Sequence, residues 1–354
     1  MKLTVNKNLN VRVGSASTDA PCFTFAKPGD IIEVTETLEG TLIDGNDRWY
    51  KATDGNYYWS GGTILSLPWW IKDFGIDEIW NYTKGENIGV LLLDSGVSNY
   101  DKSNFNVRKE TVLNDLEDGI GHGSLMCSII SGNNSDVIGI APLCSIVSIK
   151  VANSIDYEWQ NFLEGLKKIE AIVDVNKSYV VNFSLCGELH DENLQNEIQK
   201  KIDDYSSNYK MIFVGAVGND YDYANDLNII PARLNKVISV AAENRSGARL
   251  QSSNYWENID CLCPGEFVSD SLRQKYPSCQ FSGSSHACAF TSALIALFLA
   301  RANQNSTYLS YDKIKSLIMT STSSLTTKIE ASPVKTLTDK VLVKDKLMST
   351  FLNI

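Results

Sequence analysis

The sequence predicts an α/β protein with a mostly parallel sheet covered by helices on both faces, preceded by a small all-β barrel. Continuous apolar runs such as IGVLLL (88–93) and MIFVGAV (211–217) are typical of strands buried on both faces. Apolar residues at spacings of three and four between residues 162 and 173 predict a helix among these strands. The first 66 residues instead alternate short β-type runs with turn residues. Strands alternating with helices imply the parallel sheet.

The predicted elements follow in chain order, each justified by its own pattern. Before residue 66, four stretches have the composition of barrel strands and their turns: LNVRVG, GDIIEVTETLEG, RWYKAT and NYYWSGGTI. Continuous apolar runs predict the buried strands of the second part at 88–93, 144–151, 179–185, 211–217 and 236–242. Residues 285–301 are apolar nearly all round and predict a central buried helix. After about residue 322 we expect the short strand KVLV (340–343) and a last helix.

Composition excludes several classes of function. The chain has 354 residues, 43% apolar residues and a formal net charge of −10. That acidity argues against nucleic acid as a partner, because phosphate binding needs a basic surface. The start shows no apolar run of signal-peptide length, and the longest apolar stretch, 287–300, is too short to span a bilayer. We therefore expect a cytoplasmic protein without membrane contact.

The eight cysteines are expected to be free thiols. Four of them lie in apolar segments, where a reduced thiol packs as a small hydrophobic group: Cys127, Cys144, Cys186 and Cys288. No CxxC pair occurs, so the pattern favours neither a zinc site nor a redox site. We expect no metal and no cofactor.

Residues able to perform nucleophilic catalysis occur at predicted strand and helix ends. Asp94 ends the strand 88–93, Asn219 follows the strand 211–217, His122 begins a small-residue helix, and Ser285 begins the buried helix. Chemistry in such sheets gathers at the carboxyl ends of the strands. Each residue alone also has an ordinary role as a turn former, loop residue or helix cap. Together they supply a nucleophile, a base, an orienting acid and an oxyanion donor.

The order Asp, His, Ser and the surrounding motifs resemble the subtilisin-like serine proteases, or subtilases of peptidase family S8. LLLDSGV resembles the Asp motif of that family, GHGSLMCSIISG its His motif, VNFSLCG its substrate-binding strand, VGAVGND its oxyanion segment and SGSSHACA its nucleophile motif. The resemblance covers roughly residues 67–354. It implies a serine endopeptidase that hydrolyses peptide bonds in a protein or peptide substrate.

The resemblance also implies a role for each residue. Ser285 would be the nucleophile, His122 the general base, Asp94 the group that orients His122, and Asn219 a side-chain oxyanion donor. Substrate would lie along two segments, whose candidate residues are Ser184, Leu185, Cys186, Gly187, Ala216, Gly218 and Asp220. The loop after Asn219 carries Asp220, Asp222 and Asp226 without a basic residue, so we predict a preference for Lys or Arg at P1, with an apolar or aromatic preference as the alternative.

The chain departs from the family pattern next to the nucleophile. His286 stands where the family has Met or another uncharged residue, Ala289 replaces a proline, and Leu125 replaces a second histidine. None of these changes removes a catalytic group. They leave one alternative function, a peptide-binding pseudoprotease that has lost turnover.

The first 66 residues resemble a bacterial SH3-like (SH3b) domain. The resemblance rests on LNVRVG, KPGDIIEV and RWYKATDGNYYW, in that order. The linker SLPWW (66–70) is short and apolar, which predicts that residues 1–66 dock on the protease domain rather than move on a passive tether. A cell-envelope protein whose N-terminal domain binds wall material is a further alternative.

Overall fold

The computed structural model describes residues 2–65, 67–98, 107–133, 138–154, 157–221, 224, 227–267, 279–328 and 336–354. The chain divides into two compact units, Met1–Pro68 and Trp69–Ile354.

The smaller unit is an antiparallel sheet wrapped around its own core. Its strands are β1 (Lys2–Val5), β2 (Leu9–Arg12), β3 (Cys22–Ala26), β4 (Ile31–Ile43), β5 (Asn46–Ala52), β6 (Tyr57–Trp59) and β7 (Thr63–Leu65). They pair in the order β3-β2-β6-β5-β4-β1-β7. Along β4, Ile32 and Val34 are buried while Ile31 and Glu33 are exposed, the alternation that a strand with one core-facing side requires.

The larger unit is built on a nine-stranded sheet in the order β17-β18-β16-β15-β13-β11-β8-β10-β9. Its described strands are β8 (Ile88–Asp94), β9 (Val107–Thr111), β10 (Ser145–Lys150), β11 (Ser178–Phe183), β12 (Gly187–Glu188), β13 (Lys210–Ala216), β14 (Ile229–Ile230), β15 (Val237–Glu243), β16 (Cys261–Pro264), β17 (Thr322–Lys328) and β18 (Thr336–Leu342). The pairs from β9 to β18 are parallel, and β17 pairs antiparallel with β18. Strands β12 and β14 form a separate antiparallel pair.

The helices of this unit cover both faces of the sheet. Those described are α1 (Trp69–Lys72), α2 (Ile76–Ile79), α3 (His122–Ser131), α4 (Trp159–Lys168), α5 (Glu192–Asn208), α6 (Ser284–Gln304), α7 (Tyr311–Thr320) and α8 (Lys344–Leu352). Leu91 and Leu93 of β8 share a core cluster with Phe162 of α4 and Ile198 of α5. Successive side chains of a strand alternate between faces, so Asp94 points to the opposite face, where α3 lies.

Helix α6 is the buried centre of the larger unit. It is 21 residues long and apolar on all sides. It is therefore longer than the apolar stretch 287–300 identified in the sequence. By length and composition it could span a bilayer, but 94% of its most apolar window is buried inside the protein. It is therefore packed as the core helix of a globular unit. The expectation that this segment is too short to span a bilayer was wrong, since the helix is long enough.

Two further boundaries differ from the sequence-based expectation. Helix α6 begins at Ser284, which makes Ser285 its second residue rather than its first. The C-terminal region contains a hairpin of β17 and β18, where the sequence predicted the single strand 340–343. The polar, Ser- and Thr-rich composition of β17 hid it, because an edge strand needs no continuous apolar run.

Candidate active site

The centre of the site is a pair formed by Asp94 and His122. Asp94 ends β8, a strand between β10 and β11 in the sheet, and it is fully buried. His122 is the first residue of α3, and its Nδ1 lies 2.7 Å from Asp94 Oδ1. The His122 side chain is 24% exposed, and its Nε2 has no hydrogen-bond partner within the described part of the chain. That nitrogen is available to exchange a proton with a substrate or a nucleophile.

A second carboxylate, Asp118, holds His122 in place and was missed by the sequence analysis. It accepts hydrogen bonds from the Gly121 and Ser124 N–H groups at 2.7 and 2.8 Å. Ser95 Oγ donates to Asp118 Oδ1 at 2.8 Å and accepts from the Gly123 N–H at 2.9 Å. Asp118 and Ser95 thereby pair the free N–H groups at the start of α3, as a helix cap does. In the sequence, its position four residues before His122 was the only indication of this capping role.

Opposing effects act on the pKa of His122. Burial lowers it, whereas the charge and hydrogen bond of Asp94, and then the charge of Asp118, raise it, and the net effect is a raised pKa. The imidazolium form is therefore stabilised at this position. This is the property required of a base that must carry a proton between two steps of a reaction.

Ser285 lies in the first turn of α6, which packs against α3. Its side chain is mostly buried, and its hydroxyl donates to the Ser184 carbonyl at 2.9 Å rather than to His122. The Ser285 N–H makes no hydrogen bond with any described residue, and it belongs to the first turn of a helix, whose N–H groups have no partner within the helix. Such an N–H, at the positive end of a helix, is suited to bind a developing negative charge.

Asn219 is fixed beside this helix end by its side-chain oxygen. Asn219 Oδ1 accepts the Ser284 N–H at 2.8 Å, which orients the Nδ2 group away from the helix backbone. The neighbouring Gly283 has φ +144°, and a Cβ there would lie 2.9 Å from Asn219 Nδ2. The Ser284 hydroxyl accepts the Gly218 N–H at 3.0 Å. The segment that carries Asn219 and the start of α6 are therefore locked together.

The predicted substrate segment 184–187 lies against Ser285. Ser184 Oγ donates to the Ser285 carbonyl at 2.9 Å and accepts from Asn182 Nδ2 at 2.8 Å. Leu185 is buried, whereas Cys186 and Gly187 are partly exposed. Burial and then the charge of Asp220 raise the pKa of the Cys186 thiol to about 12, so this thiol is neutral at physiological pH. Asn182, in strand β11, thereby supports the Ser184 side chain.

The second predicted substrate segment is organised by Asn254, which the sequence did not reveal. Ala216 and Gly218 are buried and Asp220 is exposed. The Asp220 N–H donates to Asn254 Oδ1 at 2.8 Å, and Asn254 Nδ2 donates back to Asp220 Oδ2 at 2.9 Å. Asp222 and Asp226 lie outside the described residues.

Among the described residues, no three His, Cys, Asp or Glu side chains gather in a metal-binding arrangement.

Comparisons with known proteins identify the family of the chain. Residues 58–343 match the model of the subtilase family, peptidase S8. The chain belongs to this family, and it is a serine endopeptidase of subtilisin type. It is 29% identical to an intracellular serine protease of Paenibacillus polymyxa over 68% of this chain and 75% of that protein. It is also 29% identical to the major intracellular serine protease of Bacillus subtilis strain 168, over 66% of this chain and 75% of that protein.

Solved structures share the fold. The prenylagaramide maturation protease PagA superposes with a TM-score of 0.61 at 22% identity, covering 78% of this chain and 98% of that one. A cold-adapted subtilisin-like serine proteinase gives a TM-score of 0.56 at 22% identity, covering 74% of this chain and 90% of that one.

Proposed function

We propose that this chain cleaves peptide bonds with Ser285 as nucleophile, His122 as general base, Asp94 as orienting acid and Asn219 as oxyanion donor, and that it acts on an intracellular protein or peptide. The observation that supports this assignment best is the Asp94–His122 pair at 2.7 Å, held on a helix that packs against the one bearing Ser285. Two relatives named as intracellular serine proteases support the cytoplasmic location.

The reaction follows from the groups present. Ser285 Oγ attacks the substrate carbonyl carbon while His122 Nε2 takes the hydroxyl proton, and Asp94 stabilises the imidazolium. The oxyanion accepts hydrogen bonds from the Ser285 N–H and Asn219 Nδ2. His122 then protonates the leaving amine, and water hydrolyses the acyl-enzyme by the same steps. For the attack, the Ser285 hydroxyl has to leave the Ser184 carbonyl and turn to His122.

The orientation of the Ser285 hydroxyl toward Ser184 favours one second candidate, a peptide-binding pseudoprotease. A fluorophosphonate–rhodamine probe separates the two functions, because it phosphonylates a serine only when a base activates it. We expect wild-type protein to be labelled. A folded wild-type protein that binds peptide and stays unlabelled would establish the pseudoprotease instead.

Replacing Asn219 with alanine should lower kcat by roughly 10²–10³-fold, the loss measured when the oxyanion asparagine of subtilisin was removed. KM should change little, because the amide bonds the oxyanion more strongly than the ground-state carbonyl. Steady-state kinetics on a fluorogenic tetrapeptide amide measure both constants. Asn228→Ala is the matched control, since that amide bonds the Leu189 carbonyl away from the helix end. An unchanged kcat in Asn219→Ala would contradict the assigned role.

For the P1 residue we propose a preference for Lys or Arg. Asp220 is exposed and lies near the Cys186 thiol, in the expected wall of the pocket. A carboxylate about 4 Å from an ammonium contributes roughly 4 kcal/mol at an effective dielectric of 20, and exposure reduces this severalfold. Even a quarter of this energy would give a several-fold preference for Lys or Arg over an uncharged side chain at P1.

A peptide library cleaved at pH 7 tests this preference. Asp220→Asn should weaken it and salt should reduce it, whereas Asp203→Asn, on the exposed helix α5, should leave it unchanged. Equal or faster cleavage after Leu and Phe would establish the apolar alternative.

We also propose that residues 1–66 form an SH3b-like domain that docks on the protease domain. The support is the shortness of the linker. The apolar side chain of Trp70 adds no support, because it packs on Phe267 within the larger unit. Residues 67–354 expressed alone should then unfold at a lower temperature than the full chain, because a docked contact is lost. Equal melting temperatures and equal cleavage of all substrates would show a passive tether.

A further inference from the structure

His286, the residue after Ser285, carries a buried imidazole. It is 2% exposed, and neither ring nitrogen has a hydrogen-bond partner of normal geometry among the described residues. Burial and then the nearby His122 lower the pKa of His286 to about 3, against a small opposing effect of the Gln280 backbone. The ring is therefore neutral at every physiological pH. A buried polar ring without such partners destabilises the fold.

The ring is held by stacking. His286 lies parallel to Phe267, with ring centroids 6.2 Å apart and an interplanar angle of 17°. Phe267 in turn packs on Trp70 of α1 at 4.7 Å. Both aromatic partners are buried. The contact fixes the orientation of a side chain in the first turn of α6, one residue from the Ser285 hydroxyl.

The backbone on both sides of this stack is fixed as well. The Phe267 N–H donates to the Phe281 carbonyl at 3.0 Å, and the Gly283 N–H donates to the Gly265 carbonyl at 2.9 Å. These bonds form a short ladder that leads into α6. The ladder holds the chain before Ser285, and the stack holds the residue after it. The two contacts therefore flank Ser285 in the chain.

We propose that His286 is a positioning residue, which acts through its stack on Phe267 to hold Ser285 in the geometry needed for attack. The inference rests on the proposed role of Ser285 as nucleophile. It assigns no proton transfer to His286, and it adds Phe267 as the platform on which this geometry depends. Ser285 is displaced when the ring is lost, and small displacements of a nucleophile reduce turnover strongly.

The test compares ring removal with ring replacement. His286→Ala should lower kcat on a fluorogenic tetrapeptide amide by on the order of tenfold, with KM within about twofold, and should slow fluorophosphonate labelling by the same factor. His286→Phe keeps the stack and removes both unpaired nitrogens. It should restore most of the lost kcat and raise the melting temperature by about 2 °C or more. A His286→Phe protein as slow as His286→Ala would overturn the inference, because the imidazole itself would then be required.

A matched pair separates positioning from general stability. Phe267→Leu removes the platform under His286, and Phe351→Leu removes a buried ring that packs on Phe298, further along α6, at 6.3 Å. Both should lower the melting temperature, but only Phe267→Leu should lower kcat, by about fivefold or more. Equal kcat losses in the two variants would overturn the inference and leave the role of Ser285 standing. Failure of the wild type to react with the probe would overturn both.

Discussion

Replacing Ser285 with alanine should reduce kcat by about 10⁶-fold, the loss measured for the nucleophile of subtilisin, and abolish fluorophosphonate labelling. The variant removes the only proposed nucleophile, while the Ser285 N–H and the Asn219 side chain remain. Peptide binding should therefore persist, with KM or Kd changed by no more than a few-fold. Labelling followed by gel fluorescence, and turnover of a quenched fluorogenic peptide, measure the two losses.

Ser128→Ala provides the matched control. This serine is buried in α3, and its hydroxyl donates to the Ser124 carbonyl of the same helix at 2.7 Å. Its removal leaves the Asp94–His122 pair and the start of α6 untouched, so labelling should proceed at nearly the wild-type rate. Persistent labelling of the Ser285→Ala variant would mean that another residue reacts with the probe and that Ser285 is not the nucleophile.

Replacing Asp94 with asparagine should reduce kcat by about 10⁴-fold. An amide at this position can donate to His122 Nδ1, which places the proton on Nε2 and leaves no lone pair to accept the Ser285 proton. The hydrogen bond now observed at 2.7 Å holds the productive tautomer instead. Asp118→Asn is the comparison variant, because it keeps the Asp94–His122 hydrogen bond and changes a carboxylate that caps α3 and has a smaller effect on the His122 pKa. A smaller loss for Asp94→Asn than for Asp118→Asn would contradict the assignment.

The Asp94→Asn variant should also change the pH dependence of kcat/KM in a defined direction. His122 is a base only when neutral, so kcat/KM should fall as the pH falls through its pKa, which lies above the usual value. Asp94→Asn removes the largest effect that raises this pKa, and its residual activity should decline at a lower pH.

The free energy of unfolding should also depend on pH through His122. The His122–Asp94 interaction stabilises the fold fully below the unfolded pKa, about 6.5, and this contribution is lost as the pH rises through the raised folded pKa.

Much of this site is local in the sequence. The strand that ends at Asp94, the helix that begins at His122 and the buried helix that carries Ser285 are each visible as one apolar pattern with a polar residue at its end. Parallel strands place such ends at one edge of the sheet, so their convergence could also be expected. The order of Asp, His and Ser then indicated the family.

The supporting residues could not be read in this way. Asp118 and Ser95 meet from positions 23 residues apart, and Ser184 meets Ser285 from 101 residues away. A polar residue in a loop has many possible partners, and only the packed chain selects among them. The same holds for Asn254, which pairs with Asp220 across 34 residues.

The sequence by itself determined the α/β fold of the larger unit, because buried strands and helices require continuous or periodic apolar residues that are visible in one dimension. It also supplied the candidate groups of the site. Only the tertiary structure decided what holds those groups: the capping of α3 by Asp118, the anchoring of Asn219 by Ser284, and the Phe267 ring under His286. Each of these is a contact between distant segments, formed because a buried polar or aromatic group is stable only beside a partner that the folded chain brings to it.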